Sequence, residues 1–307
     1  LQDLDFTSLR TCKKIGLFDS GLGGLSVLRK LADLPSAATP ISTEVQPIRT
    51  RQFFYLGDTA RCPYGDRNNS EIITFVNEII SWLTVSGAEA IVMACNTSAA
   101  TSLETARKMF DLPLFDLITP TAQTVAELGL KTGVMATAST IRSKAFSKSI
   151  HSFAPQLPVV ELACPDLVPL VESGKIFEDA TISILKGYID NLQRQGVEAL
   201  ILGCTHFPFF MPVLRELVKD QMLIVDPAQV LADLVYGDDL RTPFNDACKI
   251  FVTGDAFHFA QTAEICLGYN IGTISSVNVE EVVGSTRLDS VSSLSSFVPG
   301  SASAKAV

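Results

Sequence analysis

Two short stretches, Ala90 to Ala100 (AIVMACNTSAA) and Ala199 to Phe209 (ALILGCTHFPF), restrict this chain more than any other feature. Each is an apolar run of strand character that stops at a cysteine and gives way to small hydroxyl and amide residues before a helical pattern begins. Buried strands alternating with helices read as a parallel α/β sheet, in which ligands bind at the C-terminal ends of the strands. Cys95 and Cys204 are therefore expected at a functional rim, facing each other across one small substrate. A cysteine taken singly is most often a small buried apolar residue. What sets these two apart is position, each closing a strand ahead of a polar loop.

The rest of the chain supports that frame. KKIGLFDSGLGGLSVLRKLADL reads as strand, glycine-rich turn and helix, with Leu25, Leu28 and Leu31 on one helical face. Gly21, Gly23 and Gly24 permit a tight turn and close backbone approach to a ligand. The turn lacks both the GKS/GKT ending of a P-loop and GxGxxG spacing, so it gives little support for phosphate binding. Asp19 and Ser20 end this strand, either beside the site or in a plain Asx turn. Residues 35–51 read as an exposed loop, and FFYLGD restarts the sheet. A turn-rich segment carrying Pro63, Tyr64 and Gly65 follows, then an amphipathic helix with Ile72, Phe75, Val76, Ile79 and Leu83 on its core face and Gly87 as its stop. A further helix is expected from about Ser98 to Phe110.

KTGVMATASTIRSKAF then repeats the plan of KKIGLFDSGLGGLSVL, with Gly133 aligning on Gly16 and Thr137 on Ser20. Cys204 aligns on Cys95 if one insertion or deletion is allowed, so the chain carries a weak internal repeat. Two similar α/β halves packed rim to rim about a pseudo-twofold axis would bring the thiols to opposite sides of one cleft. A short helix carrying Glu172 and a long amphipathic helix stopping at Gly196 complete the second half. The last strand and helix elements return to the first. Residues 1–11 and the serine-rich segment from 285 are expected to be flexible.

Composition excludes several classes. The 307 residues are 47% hydrophobic, enough for two domains of ordinary size, and the net charge of −9 argues against nucleic acid or an anionic membrane as partner. The sequence shows no apolar run of membrane-spanning length, and a cytoplasmic location is expected. Seven cysteines without CxxC spacing and only three histidines argue against a disulfide scaffold or a zinc site.

Paired thiols suit one kind of chemistry. Removing a proton from a saturated carbon beside a carboxylate needs a base and strong carbanion stabilisation. Bases on opposite faces of that carbon let one accept a proton while the other donates, inverting the centre. A thiol, with a reference pKa of about 8.5, serves in either role, and a helix N-terminus is expected to lower that value. Asp19 and His206 could tune or relay protons. Ser20, Tyr64, Asn96, Thr97, Thr137, Thr140 and Thr205 supply neutral donors that can hold carboxylates without a guanidinium; any single Ser or Thr reads better as a helix cap, but together they converge on strand ends, which favours a site.

The ordered set FDSGLGG, GDTARCPYG, ACNTSA, TAST, CPDLVPLVE and GCTH resembles the glutamate racemases of the cofactor-independent aspartate/glutamate racemase superfamily. The resemblance implies two pseudo-symmetric three-layer α/β domains with mainly parallel sheets and the active site between them. The expected first domain is 12–117 plus 227–284, and the second is 118–226. It implies interconversion of L- and D-glutamate for peptidoglycan, without pyridoxal phosphate or metal. By matching position it makes Cys95 and Cys204 the catalytic thiols, the first serving the D- and the second the L-enantiomer, with Asp19, Glu172 and His206 assisting. Ser20, Pro63, Tyr64, Gly65, Asn96, Thr97, Thr137, Thr140 and Thr205 match substrate contacts. Oligomeric state stays open, a homodimer being one option. GCTH continues Phe-Pro where Tyr-Pro is usual. An aspartate racemase or related isomerase would share the thiol pair, and a two-lobed amino-acid binder would share the lobes but need no second rim cysteine.

Overall fold

The computed structural model describes residues 6–32, 51–237 and 247–280. In chain order the elements are β1 (Lys14–Asp19), α1 (Leu25–Leu31), β2 (Gln52–Gly57), α2 (Asn69–Val85), β3 (Ala90–Met93), α3 (Asn96–Met109), β4 (Leu114–Asp116) and α4 (Ile118–Leu128). Then come β5 (Thr132–Ala136), α5 (Ala138–Ser143), α6 (Ala145–Phe153), β6 (Val159–Ala163), α7 (Leu167–Glu172), α8 (Asp179–Arg194) and β7 (Ala199–Leu202). The chain continues through α9 (Met211–Val218), β8 (Leu223–Val225), α10 (Pro227–Tyr236), β9 (Ala247–Val252), α11 (Ala256–Leu267) and β10 (Ile274–Ser276).

The strands form two wholly parallel sheets, one ordered β10-β9-β2-β1-β3-β4 and the other β6-β5-β7-β8. The second order reproduces the β2-β1-β3-β4 part of the first, so the weak sequence repeat is a structural one. Its glycines have the same cause in both halves. A Cβ on Gly16 would lie 3.2 Å from Ala88, and one on Gly133 would lie 2.8 Å from Val197, the matching residues ahead of β3 and β7. Corresponding carboxylates repeat as well: Glu89 accepts from the Lys13 N–H, and Glu198 accepts from the Lys131 N–H.

Each sheet is apolar on both faces, because strand side chains alternate and helices cover both sides. In the first sheet Leu17, Phe53, Tyr55 and Val92 enter one core, while Phe18, Phe54, Leu56 and Ile91 enter the other. In the second sheet Met135, Leu200 and Leu202 join the former, and Val134, Ala136 and Ile201 the latter. Helix α2 opens on a capping box, the Asn68 side chain accepting from the Glu71 N–H and Glu71 answering the Asn68 N–H. Its buried stripe of Ile72, Val76, Ile79, Ile80 and Leu83 keeps four of the five positions the spacing predicts, Phe75 being only half-buried, and Gly87, at φ +93°, follows as the stop.

Two expectations change. The N-terminal stretch is not loose over Phe6–Arg10, which forms a 3-10 turn with Leu9 buried and the Phe6 ring 5.7 Å from that of Phe115. Two apolar side chains covering the core suffice to hold it. Helix α3 begins at Asn96, two residues before Ser98, which leaves Cys95 at its N-cap. The serine-rich segment from 285, and the 35–51 loop except Arg51, lie outside the described residues. Arg51 is buried, its guanidinium 4.9 Å from the Tyr236 ring centre, so the exposed reading fails there.

Candidate functional site

Cys95 and Cys204 each sit two residues past the third strand of the repeat, β3 and β7. Both line a cavity of ≈ 50 Å³ walled by strand ends and loops of the two sheets. Ser20, Pro63, Tyr64, Gly65, Asn96 and Thr97 close it from the first sheet, and Thr137, Thr205 and His206 from the second. The thiols are only 4% and 6% exposed, so what reaches them enters a nearly dry pocket. A site this small admits a metabolite, not a macromolecule.

Behind the lining runs a chain of hydrogen bonds between the halves. His206 Nδ1 is 3.7 Å from the Cys204 sulfur, and its Nε2 donates to Glu172 at 2.7 Å. Glu172 also accepts from the Leu22 N–H at 3.0 Å. Asp19, wholly buried, accepts from the Gly21 N–H at 3.0 Å and from the Thr205 hydroxyl at 2.8 Å. Asp19, Glu172 and Thr140 therefore support the cavity without lining it.

The glycine-rich turn has a use that its sequence did not reveal. A Cβ on Gly21 would fall 2.3 Å from Glu172, and one on Gly23 would fall 2.4 Å from Thr205 and 2.5 Å from His206. The close approach is to side chains of the second half rather than to a bound phosphate.

The neutral donors divide in two. Thr97, Thr137 and Thr140 form a closed triangle of hydroxyls at 2.9, 3.1 and 3.0 Å, joining the start of α3 to the start of α5. Asn96 is the opposite case, buried at the cavity wall with neither atom of its amide partnered among the described residues. A buried polar group in that state calls for a ligand. Tyr64 differs from expectation, because its hydroxyl donates to Asp58 and the ring, not the hydroxyl, is left for the cavity.

Burial sets the charges. It pushes the Cys95 thiol up to about 11, with the Asp19 charge adding and donors from Ser98 and Ser20 opposing. The expected lowering at the helix start is thus outweighed, and Cys95 rests as a thiol. Burial likewise raises Asp19, against His206 and Thr205. Desolvation opposes charge on both His206 and Glu172, yet hydrogen bonds from His206 to Cys204 and to Glu172 hold the imidazole well above 6.5, and the bond from His206 keeps the Glu172 carboxyl below 4.5.

Sequence reasoning missed Asp66, Ala138, Cys164, Pro165, Val168 and Pro169 as lining residues. The signal for Cys164 was present, since it follows β6, a neighbour of β5, in the manner of the other two rim cysteines. Past Pro63, Val168 and Pro169 lies a second depression of ≈ 480 Å³ that exposes Cys62, Glu172 and His258.

Known proteins agree with this geometry. The Asp/Glu/hydantoin racemase family model matches residues 40–235, the span holding both thiols, His206 and Glu172. A glutamate racemase of Gloeobacter violaceus is 39% identical over 83% of this chain and 92% of its own length, and that of Trichodesmium erythraeum 40% over 84% and 92%. A solved glutamate racemase isoform of Bacillus anthracis superposes with TM-score 0.75 at 29% identity, covering 87% of this chain and 97% of that one. The Francisella tularensis enzyme, solved with D-glutamate, gives 0.74 at 27%, covering 88% and 98%. Similar in sequence through the thiol-bearing strands and similar in fold through both sheets, this chain belongs to the glutamate racemases of the Asp/Glu/hydantoin racemase family.

Proposed function

We propose that the chain interconverts L- and D-glutamate by proton transfer between two thiols, and so supplies D-glutamate for peptidoglycan. The observation that carries this reading is the meeting of Cys95 and Cys204, from matching strand ends of the two sheets, in one cavity. With Cys204 as base, the α-C–H bond of L-glutamate breaks and an S–H bond forms. Cys95, a thiol at neutral pH, then gives its proton to the opposite face of the carbon, leaving D-glutamate and a Cys95 thiolate. The reverse reaction exchanges these roles.

Negative charge that develops on the α-carboxylate during the transfer meets the free Asn96 amide and the amides opening α3. His206, its charge favoured by Cys204 and Glu172 and its Nδ1 3.7 Å from the Cys204 sulfur, is placed to hold or move that thiol's proton. Ser20 lies 3.8 Å from the Cys95 sulfur. The two sheets are taken as two domains, 12–117 with 227–284 and 118–226, the chain passing from one to the other at α4 and back at α10. No helix among the described residues is long and apolar enough to cross a membrane.

The test is incubation of reduced protein with L-glutamate in heavy water, following optical rotation and deuterium at the α-carbon together. Loss of rotation with deuterium incorporation supports the reading. Retained rotation without exchange ends it.

A further inference from the structure

The carboxylate of Asp58 lies outside the cavity, wholly buried one residue past β2, and has no part in the chemistry above. Four side-chain hydrogen bonds nonetheless converge on it. Arg61 Nε reaches both oxygens, at 3.0 and 2.7 Å; Thr253 donates at 2.8 Å; the Tyr64 hydroxyl completes the set. The Asp58 N–H donates at 2.9 Å to the carbonyl of Asp19 at the end of β1.

Its partners are themselves held. Arg61 also bonds Glu78 on α2 and lies 4.2 Å from the Phe75 ring centre, and Phe75 in turn meets the Tyr64 ring at 5.6 Å. Thr253, just past β9, accepts from the Ala60 N–H at 3.1 Å, and the Gly254 N–H donates to Thr59 at 3.0 Å. The segment from Thr59 to Tyr64 is thus fastened to one carboxylate, directly through Arg61 and Tyr64 and, at its start, by way of Thr253. It carries Pro63 and Tyr64 and runs directly into Gly65, and these three form one wall of the cavity.

A buried ion pair is a weak source of stability, since apolar residues of the same volume do as well, but it fixes direction in a way they cannot. We propose that Asp58, acting through Tyr64 and Thr253, is a positioning residue for racemisation, setting the distance of the 63–65 wall from the thiols. This rests on the racemase reading above. It also makes the C-terminal strand β9, beyond the part matched by the family model, a component of the site.

The experiment compares wild type with Asp58→Asn, Tyr64→Phe, Thr253→Val and the Asp58→Asn/Tyr64→Phe double variant, by KM and kcat for glutamate and by mass-spectrometric rates of iodoacetamide alkylation. Asp58→Asn points an amide donor at donors, and KM is expected to rise roughly tenfold or more with a smaller fall in kcat. Thr253→Val, which removes one donor and keeps the shape, should raise KM severalfold and decides the matter if Asp58→Asn does not fold. The double variant should be no worse than Asp58→Asn alone, because the Tyr64 hydroxyl works only through that carboxylate. Alkylation of Cys62 and Cys95 should quicken in Asp58→Asn and Thr253→Val while Cys266 keeps its wild-type rate.

Folded variants with wild-type KM and wild-type alkylation rates would overturn the assignment, as would strictly additive effects in the double variant. If wild type itself fails to racemise glutamate, the activity reading falls. The alkylation rates still decide whether Asp58 sets this wall.

Discussion

Thr205, in the loop after β7, donates its hydroxyl at 2.8 Å to the buried carboxylate of Asp19 at the end of β1, 186 residues earlier in the chain. The bond ties the floors of the two halves together beneath the cavity. The same loop accepts at the Thr205 carbonyl from Ser26 at 3.0 Å, so the tie is double. The positions of Cys95 and Cys204 are consequently set by one connected structure rather than by two loops moving apart.

Replacing either thiol by serine substitutes a far weaker acid at the same place. Cys95→Ser and Cys204→Ser should each lower racemisation of glutamate about 10²- to 10⁴-fold while circular dichroism stays unchanged. Wild-type turnover in either variant would remove the two-thiol mechanism.

At Gly23 the halves pack tightly, a Cβ there falling 2.4 Å from Thr205 and 2.5 Å from His206. Gly23→Ala should cost roughly 1–3 kcal/mol of stability and, by displacing His206, about 10²-fold in kcat. Chemical denaturation and steady-state kinetics measure the two losses, and an alanine variant at full activity would show that the turn has room to spare.

The Glu172–His206 pair predicts a pH window for stability. A carboxyl lowered by its partner contributes stability above its unfolded value, and loses it as pH falls through the folded one. A histidine raised by its partner contributes fully below its unfolded value, and loses it as pH rises through the folded one. The pair's contribution is therefore complete between about 4.5 and 6.5 and fades on either side. Glu172→Gln should lower Tm by roughly 5 °C inside that window, with the deficit shrinking in strong acid and in alkali. Calorimetry across pH tests this, and a deficit of constant size would contradict it.

The cap of α2 separates folding from function. Asn68→Ala removes a capping box at an exposed helix start and should cost about 1 kcal/mol in denaturant titration, with kcat and KM unaltered. A change in KM would mean that α2 also governs the cavity wall through Glu78 and Arg61.

Much of this molecule is written locally. Strand ends at Cys95 and Cys204, the stripe on α2, the glycine stops and the repeat relating Gly16 to Gly133 depend on hydrophobic period and on residues with special backbone freedom. Both are properties of neighbours in sequence. Nearest-neighbour chemistry also sufficed to place Asp19 and Ser20 at a strand end. Where it went astray at Phe6–Arg10, a long-range contact with Phe115 had replaced a local preference.

What the sequence by itself determined, then, is that two α/β repeats each end a strand in a thiol. Only the folded chain decided that those thiols share one cavity, that Gly23 exists to admit Thr205 and His206, that Tyr64 turns its hydroxyl to Asp58, and that burial keeps Cys95 protonated. The reason is physical: desolvation and hydrogen-bond partnership depend on atoms brought close from distant parts of the chain, and no local pattern records their arrival.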